Sequence, residues 1–240
     1  MDYSVFVPIH DNETHLPYTL PNILSLNAPE TVLYFDCCTD NSMTVAEKLT
    51  VGHKNVKTVI NNNLHPDYSF HTAYVKTQGI KHCSHPWILN VDADMKIDPE
   101  TILPYLNTSV SCVCFDRHEY PISPTFELMK PLTRFSKNKA RGLMFFNRSA
   151  LYRHMDLKRL KRLKIAVDTY IFTTLNREYS TKFVSGKHLH LNPKKTRNKE
   201  YEYGLYSWNN LRANLFKMIV SKSVCLRFSY LRGYLHARFG

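Results

Sequence analysis

Short apolar runs alternate with amphipathic stretches along the first 110 residues. Tyr3 to Ile9 (YSVFVPI) reads as a buried strand. Residues 14–26 place Leu16, Leu20, Ile23, Leu24 and Leu26 near a helical period, with Pro17 and Pro21 working against it. Thr31 to Phe35 (TVLYF) predicts a second strand, stopped by the polar turn DCCTDNS. Residues 42–49 predict a short helix with Ser42 as its N-cap. A third strand follows at Val56 to Ile60, a helix at 70–82, and a fourth strand at Trp87 to Val91 (WILNV). That strand runs directly into Asp92-Ala93-Asp94. Pro99 and Glu100 open another helix, with Asp98 placed to cap it.

Strand and helix in alternation predict a mostly parallel α/β sheet with helices on both faces. Such sheets bind ligands at the carboxyl ends of their strands. His10, Asp36 and the Asp92/Asp94 pair each fall just after a predicted strand, which gathers them along one edge.

The second half is less regular. Val110 to Phe115 and Leu143 to Phe146 predict strands, and the proline-rich stretch 117–140 between them an excursion. A single basic helix is expected over 149–164, a helix over 167–177, and a strand over 182–191 that ends in His188-Leu189-His190. Residues 192–200 (NPKKTRNKE) are polar, and the remainder predicts an amphipathic helical tail.

Composition narrows the class. With 240 residues, 43% of them hydrophobic, the chain can build one sizeable core, and global disorder is not expected. Its formal net charge is +12, which points to an anionic partner: nucleic acid, nucleotide phosphates or an acidic membrane surface. The charge is lopsided. From Tyr203 onward there is no Asp or Glu, while Arg212, Lys217, Lys222, Arg227, Arg232 and Arg238 supply half of the total. In that tail, aromatics such as Tyr206, Trp208, Phe216 and Phe228 interleave with the cations. This suits either peripheral contact with a membrane or a helix packed on the domain with its charges outward.

No two of the six cysteines form a CxxC pair, so reduced thiols are expected rather than a disulfide framework. There is no signal-peptide pattern and no apolar run of membrane-spanning length. A cytoplasmic protein is expected, with attachment to the inner face of the membrane through the tail as an option.

Three groups carry candidate chemistry. Asp92 and Asp94, one residue apart at a strand end, can hold a hard divalent cation such as Mg²⁺ or Mn²⁺ and leave positions for phosphate oxygens. A solvated turn would use the same residues, and D-x-D alone says little. Asp168 stands in the apolar run IAVDTY at a helix start, where a carboxylate is favoured by the helix dipole without any further role. As a functional residue it would be a general base. His188 and His190 share one side of a strand, so one could complete a metal site while the other is a core histidine.

Taken in order, these pieces resemble the family-2 glycosyltransferases of the GT-A fold, over roughly residues 3–191. VFVPIHD (5–11) resembles the family's first strand, and FDCCTDNS (35–42) its D-D-G-S-T-D-G-T turn, which contacts the donor nucleotide. AYVKTQGI (73–80) is similar to A-x-A-R-N-x-G-I, with Lys76 at the arginine and Gly79 at the glycine. VDAD (91–94) fits the D-x-D, RGLMFFNR (141–148) the strand after the acceptor-side glycine, and Val167-Asp168 the E-D whose aspartate is the base. Phe35, Cys37 and Val167 depart from the pattern, standing where the family has an acid, a glycine and a glutamate.

The resemblance implies a GT-A domain over 1–200, with a nucleotide-binding half (1–110), an acceptor-side half (111–200) and the basic tail 201–240. It implies an inverting transfer from a UDP- or GDP-sugar to a glycan, polysaccharide or lipid-linked acceptor. Pro8, His10, Asp36, Lys76 and Asp92 would face the donor nucleotide. Asp94, Asp92 and His190 would hold Mn²⁺ or Mg²⁺, Asp168 would be the catalytic base, and segment 192–200 would close over the diphosphate.

Two rivals remain at this level. A nucleotidyltransferase would use a similar sheet but brings a Gly-rich loop near its first strand, and no glycine precedes Gly52. A nucleic-acid-binding protein fits the charge, yet no nucleic-acid motif is present and the D-x-D would put negative charge in the cleft. No specific nucleic-acid partner is expected.

Overall fold

The structure is a computed structural model that describes residues 2–69, 71–106, 110–120, 142–163, 167–176 and 180–191. By contact density the chain divides into one unit of Met1–His118 with Ala140–Leu191, and a second of Glu119–Lys139 with Asn192–Gly240. The description below concerns the first unit. The expected tail, the 192–200 lid and the excursion beyond residue 120 lie outside the described residues.

Strands β1 (Tyr3–Ile9), β2 (Glu30–Asp36), β3 (Val56–Asn61) and β4 (Trp87–Val91) pair in parallel in the spatial order β3-β2-β1-β4. The apolar runs of β1, β2 and β4 are continuous because both sheet faces are covered there: Val5, Phe6, Val7, Ile9, Val32, Ile88, Leu89 and Val91 are fully buried, whereas β3, at the edge, has no buried residue. Beyond β4 the sheet changes character. β7 (Leu143–Asn147) runs antiparallel to β4 and to β6 (Cys112–Tyr120), and the order continues β7-β6-β8-β5. β5 (Met95–Lys96) is a two-residue strand just after the D-x-D. It pairs with β8 (Thr181–Leu191), setting Met95 opposite His190.

The parallel half lies as the hydrophobic pattern predicts, with helices α1 (Leu16–Leu24), α2 (Ser42–Leu49) and α3 (His71–Gln78) between its strands. α1 tolerates Pro21 inside it, and Asn27 beyond its end takes the left-handed conformation common after helices.

Several local expectations are corrected. Asn41, not Ser42, is the N-cap of α2; the Asp40 carboxylate accepts from the Ser42 backbone N–H at 2.9 Å, while Ser42 Oγ accepts from Asn12 N–H. Asp98 does precede α4 (Pro99–Ile102), and its carboxylate accepts from the Thr101 hydroxyl. The single basic helix over 149–164 is two, α5 (Arg148–His154) and α6 (Leu157–Lys161). Met155 and Asp156 leave helical geometry, and Asp156 restarts the helix by accepting from Arg159 N–H at 3.0 Å. α7 (Val167–Asn176) follows.

Gly79 begins a 3₁₀ turn after α3 and fixes how closely that segment approaches the sheet. A Cβ there would come within 2.8 Å of the Phe6 ring, which is fully buried. Gly79→Ala is therefore expected to destabilise the fold by about 1–3 kcal/mol through overpacking. Urea unfolding would show an unchanged midpoint if the segment can instead lift away.

Candidate active site

Parallel order β2-β1-β4 brings the carboxyl ends of three strands side by side, and each carries a polar turn. The loop after β1 and the turn after β2 hold each other through reciprocal hydrogen bonds. Asp11 accepts from the backbone N–H groups of Thr39 (2.7 Å) and Asp40 (3.2 Å). Asp40 accepts from Glu13 N–H, and Glu13 from Asn41 N–H.

The bond from Thr39, ahead of other contributions, holds the Asp11 carboxyl below its usual range. For Asp40, burial works the other way and is outweighed by Ser42 and Glu13. Depressed carboxyl pKa values contribute stability above their unfolded values that is lost as pH falls through the folded ones. Thermal unfolding followed against pH is thus expected to show declining stability below about pH 4. Neutralising Asp11 and Asp40 together (Asp→Asn) should flatten that decline.

At the end of β2, Asp36 is buried, and its Oδ1 accepts from Asn61 Nδ2 and pairs with His71 Nε2, both at 2.8 Å. His10 is exposed, its Nδ1 2.7 Å from the Asp36 carbonyl oxygen. Pro8 lies in β1 opposite Tyr34. His65, Tyr74 and His71 stand with nearly parallel rings, and His71 carries their contact to Asp36. Sequence reasoning missed Asn61 and His71. Neither lies in a recognisable motif, and only the β2–β3 register and the start of α3 bring them to Asp36.

Lys76 is the largest surprise. Its ammonium is placed between two carboxylates, 2.7 Å from Asp92 Oδ1 and 2.8 Å from Asp168 Oδ1. The lysine side chain is 7% exposed and each aspartate 22%. Burial pushes the lysine pKa down, but the Asp168 and Asp92 charges together outweigh it, so the pKa is raised and Lys76 is charged. Three side chains from β4's end, α3 and the first turn of α7 thus form one unit with net charge −1.

Asp94 meets His190: Oδ2 and Nε2 are 3.0 Å apart, and Leu191 N–H donates to the Asp94 carbonyl at 2.8 Å. The β5–β8 pairing fixes this meeting. Adjacent ligands on an octahedral ion of this size class, bonded at about 2.1 Å, stand roughly 3 Å apart, so the pair has the spacing and the donor types of two ligands of one cation. His188 has the other fate. It is fully buried edge-on against Phe115, and its Nδ1 accepts from Asp98 N–H at 2.9 Å. Among the described residues, groups of three ligand atoms within 4.8 Å occur elsewhere, at Asp36/Cys37/His71 and Asp11/Cys38/Asp40.

The profile of Glycosyl transferase family 2 matches residues 4–183. The chain belongs to glycosyl transferase family 2. It is an enzyme of the glycosyltransferase class with a GT-A fold, and the nucleotidyltransferase and nucleic-acid rivals give way to that assignment.

Solved structures of similar fold include S. aureus TarS (TM-score 0.60, 14% identity, covering 99% of this chain and 79% of that one). Another is the mannosyltransferase PcManGT from Pyrobaculum calidifontis in complex with GDP-Man and Mn²⁺ (0.62, 15%, 98% and 68%). A third is glucosyl-3-phosphoglycerate synthase from Mycobacterium tuberculosis with Mn²⁺, UDP and phosphoglyceric acid (0.54, 14%, 80% and 71%). No curated protein matches the chain by sequence. Among the described residues of this family 2 member, no helix is long and apolar enough to cross a membrane.

Proposed function

We propose that this family 2 enzyme, a nucleotide-sugar glycosyltransferase, works with inversion and a divalent cation, moving a sugar from a UDP- or GDP-sugar to an acceptor hydroxyl. The observation that carries the reading is the Lys76 bridge. It draws Asp92 of the D-x-D and Asp168 of α7 to one ammonium, so the donor-side acid and the proposed base share one site.

Pro8, His10 and Asp36 face the nucleotide at the strand ends. Asp36 is kept in one orientation by Asn61 and His71, which leaves its carboxylate fixed for recognition. Lys76, expected to contact the donor, is given instead a positioning role between the two carboxylates. Asp94 and His190 would hold the cation, and among the described residues Asp92, whose Oδ1 is held 2.7 Å from Lys76 Nζ, does not join them in a three-ligand cluster. An imidazole among oxygen donors favours Mn²⁺ over Mg²⁺, which keeps to oxygen. When bound, the ion supplies positive charge to the departing diphosphate.

Asp168 accepts the acceptor's proton through the oxygen not turned to Lys76. Proton uptake takes the Lys76–Asp92–Asp168 unit from net −1 to neutral, while Lys76 keeps Asp92 as a partner. The freed oxygen attacks the anomeric carbon opposite the leaving group. The acceptor class, a glycan, polysaccharide or lipid-linked hydroxyl, rests on the family resemblance. GDP-Man and UDP as ligands of the similar structures support the donor class, and their Mn²⁺ supports the metal.

Nucleotide release from a panel of UDP- and GDP-sugars tests the reading. Release from one donor with Mn²⁺, lost with EDTA and in Asp94→Ala, is the expected outcome. Release that survives both treatments would remove the metal from the mechanism. Failure of every donor to bind would remove the transferase reading itself.

A further inference from the structure

The turn after β2 carries a ligand set unlike the Asp94/His190 pair. Ligand atoms of Asp36, Cys37 and His71 all lie within 4.8 Å of one another, and His71 Nε2 is 2.8 Å from Asp36 Oδ1. A thiol, an imidazole and a carboxylate are a poor match for Mg²⁺ or Mn²⁺ and a good one for Zn²⁺. With Zn–N and Zn–O bonds near 2.0–2.2 Å and Zn–S near 2.3 Å, ligand atoms of a tetrahedral zinc stand roughly 3.3–3.7 Å apart. The observed separations, 2.8 Å between His71 Nε2 and Asp36 Oδ1 and no more than 4.8 Å across the set, bracket that spacing. Three protein ligands leave a fourth position open, as in sites that exchange water for another ligand.

Cys37 itself is unusual. Its φ is +47°, the left-handed region that glycine occupies freely and side chains rarely adopt. A glycine would suit this backbone better, so the thiol is present despite the local conformation. Burial, and then the Asp36 charge, raise the Cys37 pKa, so it stays a thiol at neutral pH until a metal displaces its proton. Asp36 is also the carboxylate proposed to face the donor nucleotide.

We propose that Asp36, Cys37 and His71 form a thiolate-containing Zn²⁺ site in the nucleotide turn, at which zinc and donor nucleotide exclude each other. The metal site stands on its own geometry; the exclusion rests on the transferase reading above.

Cobalt(II) provides the direct test on the metal-free, full-length protein, because a thiolate ligand gives a near-ultraviolet charge-transfer band and the Asp94/His190 pair cannot. A band that appears on Co²⁺ addition and is displaced by Zn²⁺ is expected. It should be lost in Cys37→Gly, a change the backbone favours, and kept in Cys38→Ser. Zinc affinity, measured against a chromogenic chelator, should fall at least about tenfold in Cys37→Gly and in His71→Gln. No band in the wild type, or a band that survives in Cys37→Gly, overturns the site. So does loss of the band in Cys38→Ser alone, which would assign it to the Asp11/Cys38/Asp40 group.

UDP and GDP binding is then measured with and without one equivalent of Zn²⁺. Weaker nucleotide binding in the zinc form is expected. Equal binding overturns the exclusion. Binding to neither form counts against the transferase reading, and the cobalt result still decides the site.

Discussion

Asp168→Asn is expected to lower nucleotide release by roughly 10²–10⁴-fold, the range a positioned general base contributes. Hydrolysis, in which water takes the acceptor's place, suffices as the assay because water also gives up a proton. The substitution keeps the volume and an oxygen that can still accept from Lys76 Nζ, now 2.8 Å from Asp168 Oδ1. Lys76 retains Asp92 as its counter-charge at 2.7 Å. Folding should therefore be nearly unaffected, and donor affinity unchanged within about twofold, since uniform binding is not what the base supplies. If release falls less than tenfold while the protein is folded and binds donor, Asp168 is not the base. If donor binding falls in step with release, its role is in binding.

Lys76→Met has the opposite profile, with its largest effect on the fold. Methionine fills the buried stem but removes the ammonium that bridges Asp92 and Asp168. Removing one partner of a buried pair costs about 3–5 kcal/mol. Both carboxylates keep some contact with water, so the low end, about 3 kcal/mol, is expected. Denaturant unfolding measures it.

The pH dependence has a definite sign. The folded pKa of Lys76 is raised, so its stabilisation is fully present below the unfolded value near 10.4 and is lost only as pH climbs beyond that towards the folded one. The stability gap between wild type and Lys76→Met should then be flat from neutral pH to about 10 and close at more alkaline pH. Lys76→Arg should restore stability in part, because a guanidinium can bridge two carboxylates but not in the same space. A stability gap near zero would mean that water already shields the pair.

The parallel half of the fold was legible because its period is short and its strands are apolar throughout: β1, β2 and β4 fall within a residue or two of the runs YSVFVPI, TVLYF and WILNV. The turns after them mark the ligand edge for the same reason. The two-residue β5 left no periodic signal, yet its pairing with β8 is what sets His190, and not His188, beside Asp94. Two histidines on one strand face are equivalent in sequence. Only their depth distinguishes them, with His188 fully buried against Phe115 and His190 partly open. Lys76 was noted by its place in a motif, but its partners lie 16 and 92 residues away, so their meeting is a property of the packed structure alone.

The shared ammonium also constrains how this lineage can change. A mutation at position 168 that removes the charge leaves Lys76 paired with Asp92, so on the proposed reading of Asp168 as base it silences the chemistry and spares the fold. A mutation at position 76 removes the ammonium that joins two carboxylates in a mostly buried place and would be purged for instability whether or not the enzyme is still needed. Loss of function by drift therefore has a preferred first step. Descendants of this chain that abandon catalysis should be found keeping Lys76 and Asp92 after the aspartate at 168 is gone, as folded, donor-binding proteins without turnover.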